Sequence, residues 1–187
     1  MTISTASVFR LVLIGLLGWL LQQGVSQVTV FGVPADLTPL LVASIGFIAG
    51  STTGAIFGFS LGLFVDLTPG QQLGVNSLVF TAVGYGAGRI RELRDPAHGL
   101  APVAVGAAAT LIAAVGFALL QFLLGMKAPV SLLLLRDMLM TVLLNTLIAL
   151  PVYALIHRAL AKFLPDDPRR RRRRAYTTGG LSPISRI

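Results

Sequence analysis

Hydrophobic residues along this chain are gathered into long stretches that short polar or charged segments separate. These stretches predict a first helix over residues 8–31, a fourth over 73–90, a fifth over 100–125 and a sixth over 131–161. We expect Pro151 to kink the sixth helix. Apolar stretches of this length with few charges are typical of helices that cross a bilayer, whose hydrocarbon core is about 30 Å thick.

The apolar run over residues 37–66 is too long for a single span. As one helix it would extend about 45 Å at 1.5 Å per residue, well beyond the hydrocarbon core. Glycines four residues apart also drift by about 40° per step around a helix of 3.6 residues per turn, so five of them cannot share one face. A tight polar turn at residues 51–53 removes both difficulties and predicts two short helices, roughly 37–50 and 52–67. The glycines concerned are Gly46, Gly50, Gly54, Gly58 and Gly62.

Dividing the run leaves Gly54, Gly58 and Gly62 on one coherent face of the third helix. Small residues allow the backbones of membrane helices to approach closely, so this face predicts tight helix packing. The alternative interpretation is a groove for a partner. If the face is packed, leucine at Gly58 should be far more damaging than alanine.

Composition places the chain in a membrane. Of its 187 residues 55% are hydrophobic and only 12% are charged, which leaves too little polar surface to cover a soluble globule. The predicted fold is all-α, a polytopic membrane protein with six transmembrane helices over residues 1–164. Residues 165–187 have lost the apolar period and are predicted to form a disordered, basic cytoplasmic tail. The absence of cysteine excludes disulfides and thiolate metal sites.

The positive charge is distributed unevenly and predicts the orientation. With six spans, thirteen of the fifteen basic residues fall on one side, and only Lys127 and Arg136 fall on the other. The positive-inside rule therefore puts both termini in the cytoplasm. With five spans instead of six, only Arg10 would change to the other side of the membrane. Six arginines form one run, which we expect to bind anionic lipid: Arg169, Arg170, Arg171, Arg172, Arg173 and Arg174.

A few polar residues interrupt the apolar stretches. We expect Asp66 to accept hydrogen bonds from turn amides near Gly70 and to lie outside the packed helix face, where it would order the outer turn for a partner. The alternative is an ordinary interfacial acid. Asn76 and Asn145 are expected to form hydrogen bonds between helices. Residues 91–99 are interpreted as a charged cytoplasmic loop.

No reactive constellation can be assembled from the remaining residues. His98 and His157 are far apart in the sequence, so a metal site is not expected. Paired carboxylates, a serine–histidine–aspartate set and a phosphate-binding loop are also missing from any one side of the membrane. We therefore expect no catalytic activity, no cofactor and no nucleic-acid partner.

Residues 54–90, GAIFGFSLGLFVDLTPGQQLGVNSLVFTAVGYGAGRI, resemble the family of the rod shape-determining protein MreD. The resemblance lies in a glycine-spaced helix ending in Gly-Leu-x-x-Asp, a short turn, Leu-Gly-x-Asn-x-Leu, and a small-residue helix that ends in arginine. Together with the packed glycine face, it indicates helix-packing or partner-binding roles for Gly54, Gly58, Gly62, Asp66, Gly74 and Asn76.

The resemblance also implies a function. It implies a non-catalytic inner-membrane scaffold of the bacterial cell-elongation complex that binds MreC. The indirect partners implied are MreB, RodA and its penicillin-binding transpeptidase. A homo-oligomer is also possible under this interpretation. The family is similar in fold to the substrate-binding subunits of energy-coupling-factor transporters, so a vitamin-binding subunit is the alternative. Such a subunit needs aromatic and polar groups around an outer pocket, whereas this chain has one tryptophan, Trp19.

The predicted orientation can be tested with single cysteines, because the natural chain has none. A cysteine at Lys127 should react with an impermeant thiol reagent added outside the cell, and one at Thr178 should not. Labelling at both positions would contradict the orientation. A cysteine at Ser4 tests the number of spans separately, since six spans protect it and five expose it.

Overall fold

The structure, a computed structural model, describes residues 5–25, 29–30, 33–34, 36–68, 72–93, 101–125 and 132–160. The described residues form six α-helices and a two-stranded antiparallel hairpin, so the fold is all-α apart from that hairpin. The elements are α1 (Thr5–Val25), β1 (Thr29–Val30), β2 (Val33–Pro34), α2 (Leu37–Ala49), α3 (Ser51–Asp66), α4 (Val75–Leu93), α5 (Ala101–Leu123) and α6 (Leu132–Leu160). The predicted tail, residues 165–187, lies outside the described residues.

The predicted division of the long apolar run into two helices is confirmed. The break is tighter than expected, because only Gly50 separates α2 from α3 and Ser51 already belongs to α3. Gly50 has φ 98°, in the left-handed region that residues with a side chain rarely adopt. One glycine therefore reverses the chain direction where three polar residues were expected to do so.

Two predicted boundaries were wrong. The first helix ends at Val25 rather than at residue 31, and Thr29–Val30 pairs with Val33–Pro34, with Val30 opposite Val33. Threonine and valine favour the extended conformation, so they leave the helix despite being apolar enough to continue it. At the other end of the molecule, α4 continues to Leu93, three residues into the predicted loop over 91–99.

Helix α2 is the centre of the bundle. Its sequence, LTPLLVASIGFIA, is apolar on all sides, and every residue from Thr38 to Ile48 is buried. A helix that is hydrophobic all round must be surrounded by other elements. Accordingly α1, α3, α4, α5 and α6 all pack against α2. The other helices each leave an apolar face exposed, as in Phe59 of α3 and Leu147 of α6.

Three helix backbones meet at one point in this core. A Cβ built on Gly54 of α3 would lie 2.6 Å from Cα of Gly46 in α2 and 2.9 Å from the carbonyl carbon of Gly84 in α4. Carbon atoms pack at about 3.5–4.0 Å, so no side chain fits at this position. Glycine in all three helices is what permits the meeting.

The contact between α3 and α4 continues in both directions from this point. A Cβ on Gly58 would lie 2.6 Å from the carbonyl carbon of Phe80, and one on Gly62 would lie 2.6 Å from the backbone nitrogen of Ser77. Towards the other end, a Cβ on Gly88 would lie 2.5 Å from the carbonyl carbon of Gly50. The glycine face of α3 thus lies directly on the α4 backbone.

Helix lengths differ across the bundle. Among the described residues two helices, Ala101–Leu123 and Leu135–Leu160, are long and apolar enough to cross a membrane, with mean hydropathies of 2.4 and 2.1. Helix α2 has 13 residues, so its length is about 20 Å at 1.5 Å per residue. It is shorter than a hydrocarbon core of about 30 Å. Helix α6 runs through Pro151, and the kink expected there stays a prediction.

The glycine contact predicts a steep cost for side chains at Gly58. Because a Cβ alone meets the Phe80 backbone, Gly58→Ala should already destabilise the fold by about 1–3 kcal/mol, and Gly58→Leu should do so by more. Gly86→Leu in α4 is the control, since a Cβ there meets nothing within 4 Å. Thermal denaturation of the purified variants in detergent measures the effect. Equal melting temperatures for the Gly58 and Gly86 variants would contradict the backbone contact.

Candidate functional site

Asp66, the last residue of α3, lies where the chain turns back towards α4. Its side chain is 2% exposed. Oδ1 accepts hydrogen bonds from the backbone N–H of Asn76 at 3.0 Å and from its Nδ2 at 2.8 Å. Oδ2 accepts from the N–H of Gly74 at 3.0 Å, the N–H of Ser77 at 3.0 Å and the Ser77 hydroxyl at 2.5 Å. Five donors therefore converge on one carboxylate.

This arrangement satisfies the N-terminus of α4. The first N–H groups of a helix have no partner within the helix, and side-chain oxygens commonly accept from them. A negative charge is also favourable at the positive end of the helix macrodipole. The negative charge of Asp66 is unfavourable at the C-terminus of α3, where the macrodipole is also negative. It is favourable at the N-terminus of α4, which begins nearby. Its carboxylate holds the two helices together at this end.

Gly74 contributes its backbone conformation. Its φ is 94°, and a Cβ there would meet nothing within 4 Å. The constraint at this position is therefore conformational rather than steric. By adopting that conformation Gly74 brings its own N–H to Asp66, immediately before α4 starts at Val75.

The expected surroundings of Asp66 were partly wrong. The expectation that it lies outside the packed face fails, because the side chain is buried between α3 and the start of α4. The amides that bind it belong to Gly74, Asn76 and Ser77, several residues beyond Gly70, which lies outside the described residues. The hydrogen bond predicted between Asn76 and another helix is confirmed, with Asp66 as its acceptor.

A second set of contacts closes the opposite end of the α3–α4 pair. Glu92 Oε1 accepts hydrogen bonds from the Ser51 backbone N–H at 3.0 Å and from the Ser51 hydroxyl at 2.6 Å, at the N-terminus of α3. Its neighbour Arg91 donates from Nη1 to the carbonyl oxygen of Ile48, at the C-terminus of α2. Each charge thus lies at the helix end whose partial charge it complements.

The sequence interpretation missed this second set because it assigned Arg91 and Glu92 to a loop. A signal for it exists in the spacing: Gly84, Gly88 and Glu92 follow one another at intervals of four. Gly84 and Gly88 lie on the helix face that contacts Gly54 and Ser51. Continuing the same face by one turn places Glu92 at the start of α3.

A third polar contact joins α5 and α6 to the start of α2. Asn145 of α6 is 0% exposed. Its Nδ2 donates to the carbonyl oxygen of Asp36 at 2.7 Å and lies 3.2 Å from the hydroxyl oxygen of Thr110 in α5. The predicted interhelical hydrogen bond of Asn145 is confirmed. Like Asp66, this buried polar side chain holds helices together.

The other candidate residues from the sequence do not form one cluster with Asp66. Gly54, Gly58 and Gly62 of α3 are buried against the backbone of α4, as described above. His157 stacks on Tyr153 with ring centroids 5.8 Å apart. Within the described ranges, no group of three or more histidine, cysteine, aspartate or glutamate residues could hold a metal ion. His98, Lys127 and the arginine run 169–174 lie outside the described residues.

In the part of the chain that the structure describes, two helices are of membrane-spanning length and buried polar groups bind helix ends to one another, an arrangement that agrees with a helical membrane-associated protein. The family model described as rod shape-determining protein MreD matches residues 3–159, and the chain therefore belongs to the MreD family. Membership implies a role in the determination of rod shape. The chain matches none of the curated proteins and none of the solved structures with which it was compared.

The Asp66 cluster predicts that a conservative change there is destabilising. Asp66→Asn replaces one acceptor oxygen by an NH₂ group that faces donors, so it should cost about 1.5–3 kcal/mol, the range for hydrogen bonds to charged groups. The amount of folded protein in the membrane should fall. Asp137→Asn, in α6 and outside the cluster, is the matched control. Melting temperature in detergent measures both, and an unchanged value for Asp66→Asn would contradict a structural role.

Proposed function

We propose that the chain is a non-catalytic scaffold of the bacterial cell-elongation complex, a multi-pass protein of the inner membrane that binds MreC. Through MreC it helps to organise peptidoglycan synthesis and cell shape, with MreB, RodA and its penicillin-binding transpeptidase as indirect partners. The observation that carries the proposal is the rigid construction of the α3–α4 pair. This pair occupies most of the segment that resembles the family, and residues 3–159 match the family model.

A scaffold requires a surface of fixed shape. The backbones of α3 and α4 are in contact along their lengths, and hydrogen bonds accepted by the carboxylates of Asp66 and Glu92 close the two ends. A pair held at both ends and in the middle has little freedom to change its shape. The carboxylate of Asp66 is also fully occupied by donors, which supports a role in structure rather than in a reaction.

The proposed arrangement has six crossings with both termini in the cytoplasm, and the distribution of charge in the bundle supports its orientation. Phe47 near the end of α2 packs on Tyr153 of α6, with ring centroids 5.9 Å apart, so those two helices reach the same end of the bundle. Arg91 reaches the same end through its contact with Ile48. Arg158 follows Tyr153 in α6, whereas Arg136 lies near the opposite end of that helix. This asymmetry agrees with the positive-inside rule.

We place the MreC-binding surface on the exposed side of the α3–α4 pair. Phe59 and Leu63 of α3, one turn apart, are 52% and 42% exposed. At 3.6 residues per turn they lie about 100–140° around the helix from the glycine face that contacts α4. Large apolar side chains on a rigid helix are suited to packing against a partner helix in the membrane. The arginine run 169–174 is proposed to bind anionic lipid beside this complex.

No observation favours the alternative of a vitamin-binding transporter subunit. The matching family is described by shape determination, and no solved structure of such a subunit matches the chain. A cavity between α1 and α3 is almost wholly apolar in its lining. A vitamin carries polar groups that would need hydrogen-bonding partners in such a site.

The proposed surface can be tested by co-purification of MreC from a rod-shaped host. The double variant Phe59→Ala/Leu63→Ala should be present at the normal level but lose MreC, and the cells should become round. Leu143→Ala/Leu147→Ala in α6 is the matched control, because it also removes two exposed apolar side chains one turn apart, 62% and 78% exposed. Retention of MreC by the α3 variant, or equal loss in both variants, would contradict the proposed surface.

A further inference from the structure

The C-terminal parts of α4 and α6 repeat one pattern of residues. In α4 Tyr85 is followed four residues later by Arg89, and in α6 Tyr153 is followed four residues later by His157. Tyrosine is enriched at the boundary between hydrocarbon and water, at the level of the lipid headgroups. Both tyrosines therefore mark this boundary, and the basic residues lie one helical turn further out.

Side chains from both helices converge on the last turn of α2. Arg91 of α4 donates a hydrogen bond to the carbonyl oxygen of Ile48. Tyr153 of α6 packs on Phe47, the residue before Ile48, with ring centroids 5.9 Å apart. Arg91 and the hydroxyl of Tyr153 are close enough to interact electrostatically. Because α4 and α6 both pack on α2, its last turn brings their polar side chains together.

A third side chain extends this group towards the solvent. The imidazole of His157 stacks on the ring of Tyr153, with centroids 5.8 Å apart and 33° between the ring planes. Tyr153 is partly exposed and His157 is exposed. Each of the three side chains can donate a hydrogen bond, and the guanidinium is always charged. We call Arg91, Tyr153 and His157 the donor site.

The chemistry of the donor site is suited to an anion with several acceptor oxygens. Arginine binds phosphate oxygens by strong, charge-assisted hydrogen bonds, and a phenol or imidazole N–H can donate to further oxygens of the same group. The acidic residue next to Arg91, Glu92, binds the Ser51 hydroxyl with one oxygen and Arg89 with the other. A phosphate group therefore fits the donor site.

The surroundings of the donor site indicate a lipid as the source of the phosphate. On α6, Leu150 and Leu143 precede His157 by seven and fourteen residues, so all three lie on one face of the helix. Leu143 and Leu150 are 62% and 45% exposed. An acyl chain can pack along this apolar face while its headgroup lies at His157. Basic pockets between transmembrane helices bind the headgroups of anionic lipids in this way.

We propose that the donor site binds the phosphate group of an anionic phospholipid at the membrane surface. The bound headgroup bridges the end of α4 and the end of α6 across the last turn of α2. The donor site is distinct from the arginine run 169–174 and from the α3 surface assigned to MreC, so the inference depends on neither.

Native mass spectrometry of the full chain, stripped of lipid in detergent, measures the binding of phosphatidylglycerol and of phosphatidylcholine. All chains compared carry glutamine in place of the arginine run 169–174, so that lipid held by the tail does not contribute. The first molecule of phosphatidylglycerol should bind roughly fivefold more tightly than phosphatidylcholine, the effect of one basic residue near a headgroup.

Tyr153→Phe removes the hydroxyl but keeps the ring that packs on Phe47. It should weaken the binding of phosphatidylglycerol by about tenfold or more, because a hydrogen bond to a charged group is lost. Tyr85→Phe is the matched control, since it removes the hydroxyl of the corresponding tyrosine of α4, outside the donor site, and should leave the affinity unchanged. Circular dichroism and melting temperature establish that both variants are folded.

Arg91→Gln should abolish the preference for phosphatidylglycerol over phosphatidylcholine. Arg136→Gln, which removes an exposed arginine near the opposite end of α6, should retain it. Equal affinities of the Tyr153 and Tyr85 variants, or the absence of a preference in the parent chain, would overturn the proposal. So would displacement of phosphatidylglycerol by millimolar inorganic phosphate, because the site would then belong to soluble phosphates.

Discussion

The fold depends on the contact between the backbones of α3 and α4. Lipid gives apolar helices no reason to prefer one another, so association in a membrane rests on close packing and on hydrogen bonds between helices. Glycine at positions 54, 58, 62, 84 and 88 removes the side chains that would separate the two helices. Gly46 extends the contact to α2, and α2 in turn is surrounded by the remaining helices. The central helix is therefore positioned by an interaction that tolerates no Cβ.

Hydrogen bonds fix the register of this contact. Glycine faces alone permit sliding, since one backbone surface resembles the next. Asp66 at one end and Glu92 at the other each bind the first N–H groups of a particular helix, so neither helix can shift by a turn without leaving those groups unpaired. Buried polar groups without partners are costly, most of all where water is scarce. The sequence indicated helix-packing or partner-binding roles for Asp66 and Asn76. In the structure they specify the packing of α3 against α4, and a binding surface depends on that packing.

Much of this architecture could be predicted from the sequence, because membrane helices appear in it as long apolar stretches separated by short polar segments. The break near Gly50 followed from the length of the run and the angular drift of its glycines, and the packed face of α3 followed from that break. Other features depend on tertiary contacts that no local pattern records. The five donors around Asp66 come from the start of another helix, and Arg91 and Glu92 are helical because their side chains bind the ends of α2 and α3. The hairpin after α1 replaced a predicted helical end because its β-branched residues favour the extended conformation, in which Val30 pairs with Val33.

The most direct test of this account is a double-mutant cycle between Asp66 and Ser77 in reconstituted bilayers. The free energy of unfolding is measured for the unmodified chain, Asp66→Ala, Ser77→Ala and the double variant. Because the Ser77 hydroxyl donates to the carboxylate, the two substitutions should be coupled by about 0.5–3 kcal/mol. Strictly additive effects would mean that this hydroxyl and the carboxylate do not interact in the folded protein, and would contradict the account of how Asp66 holds the start of α4.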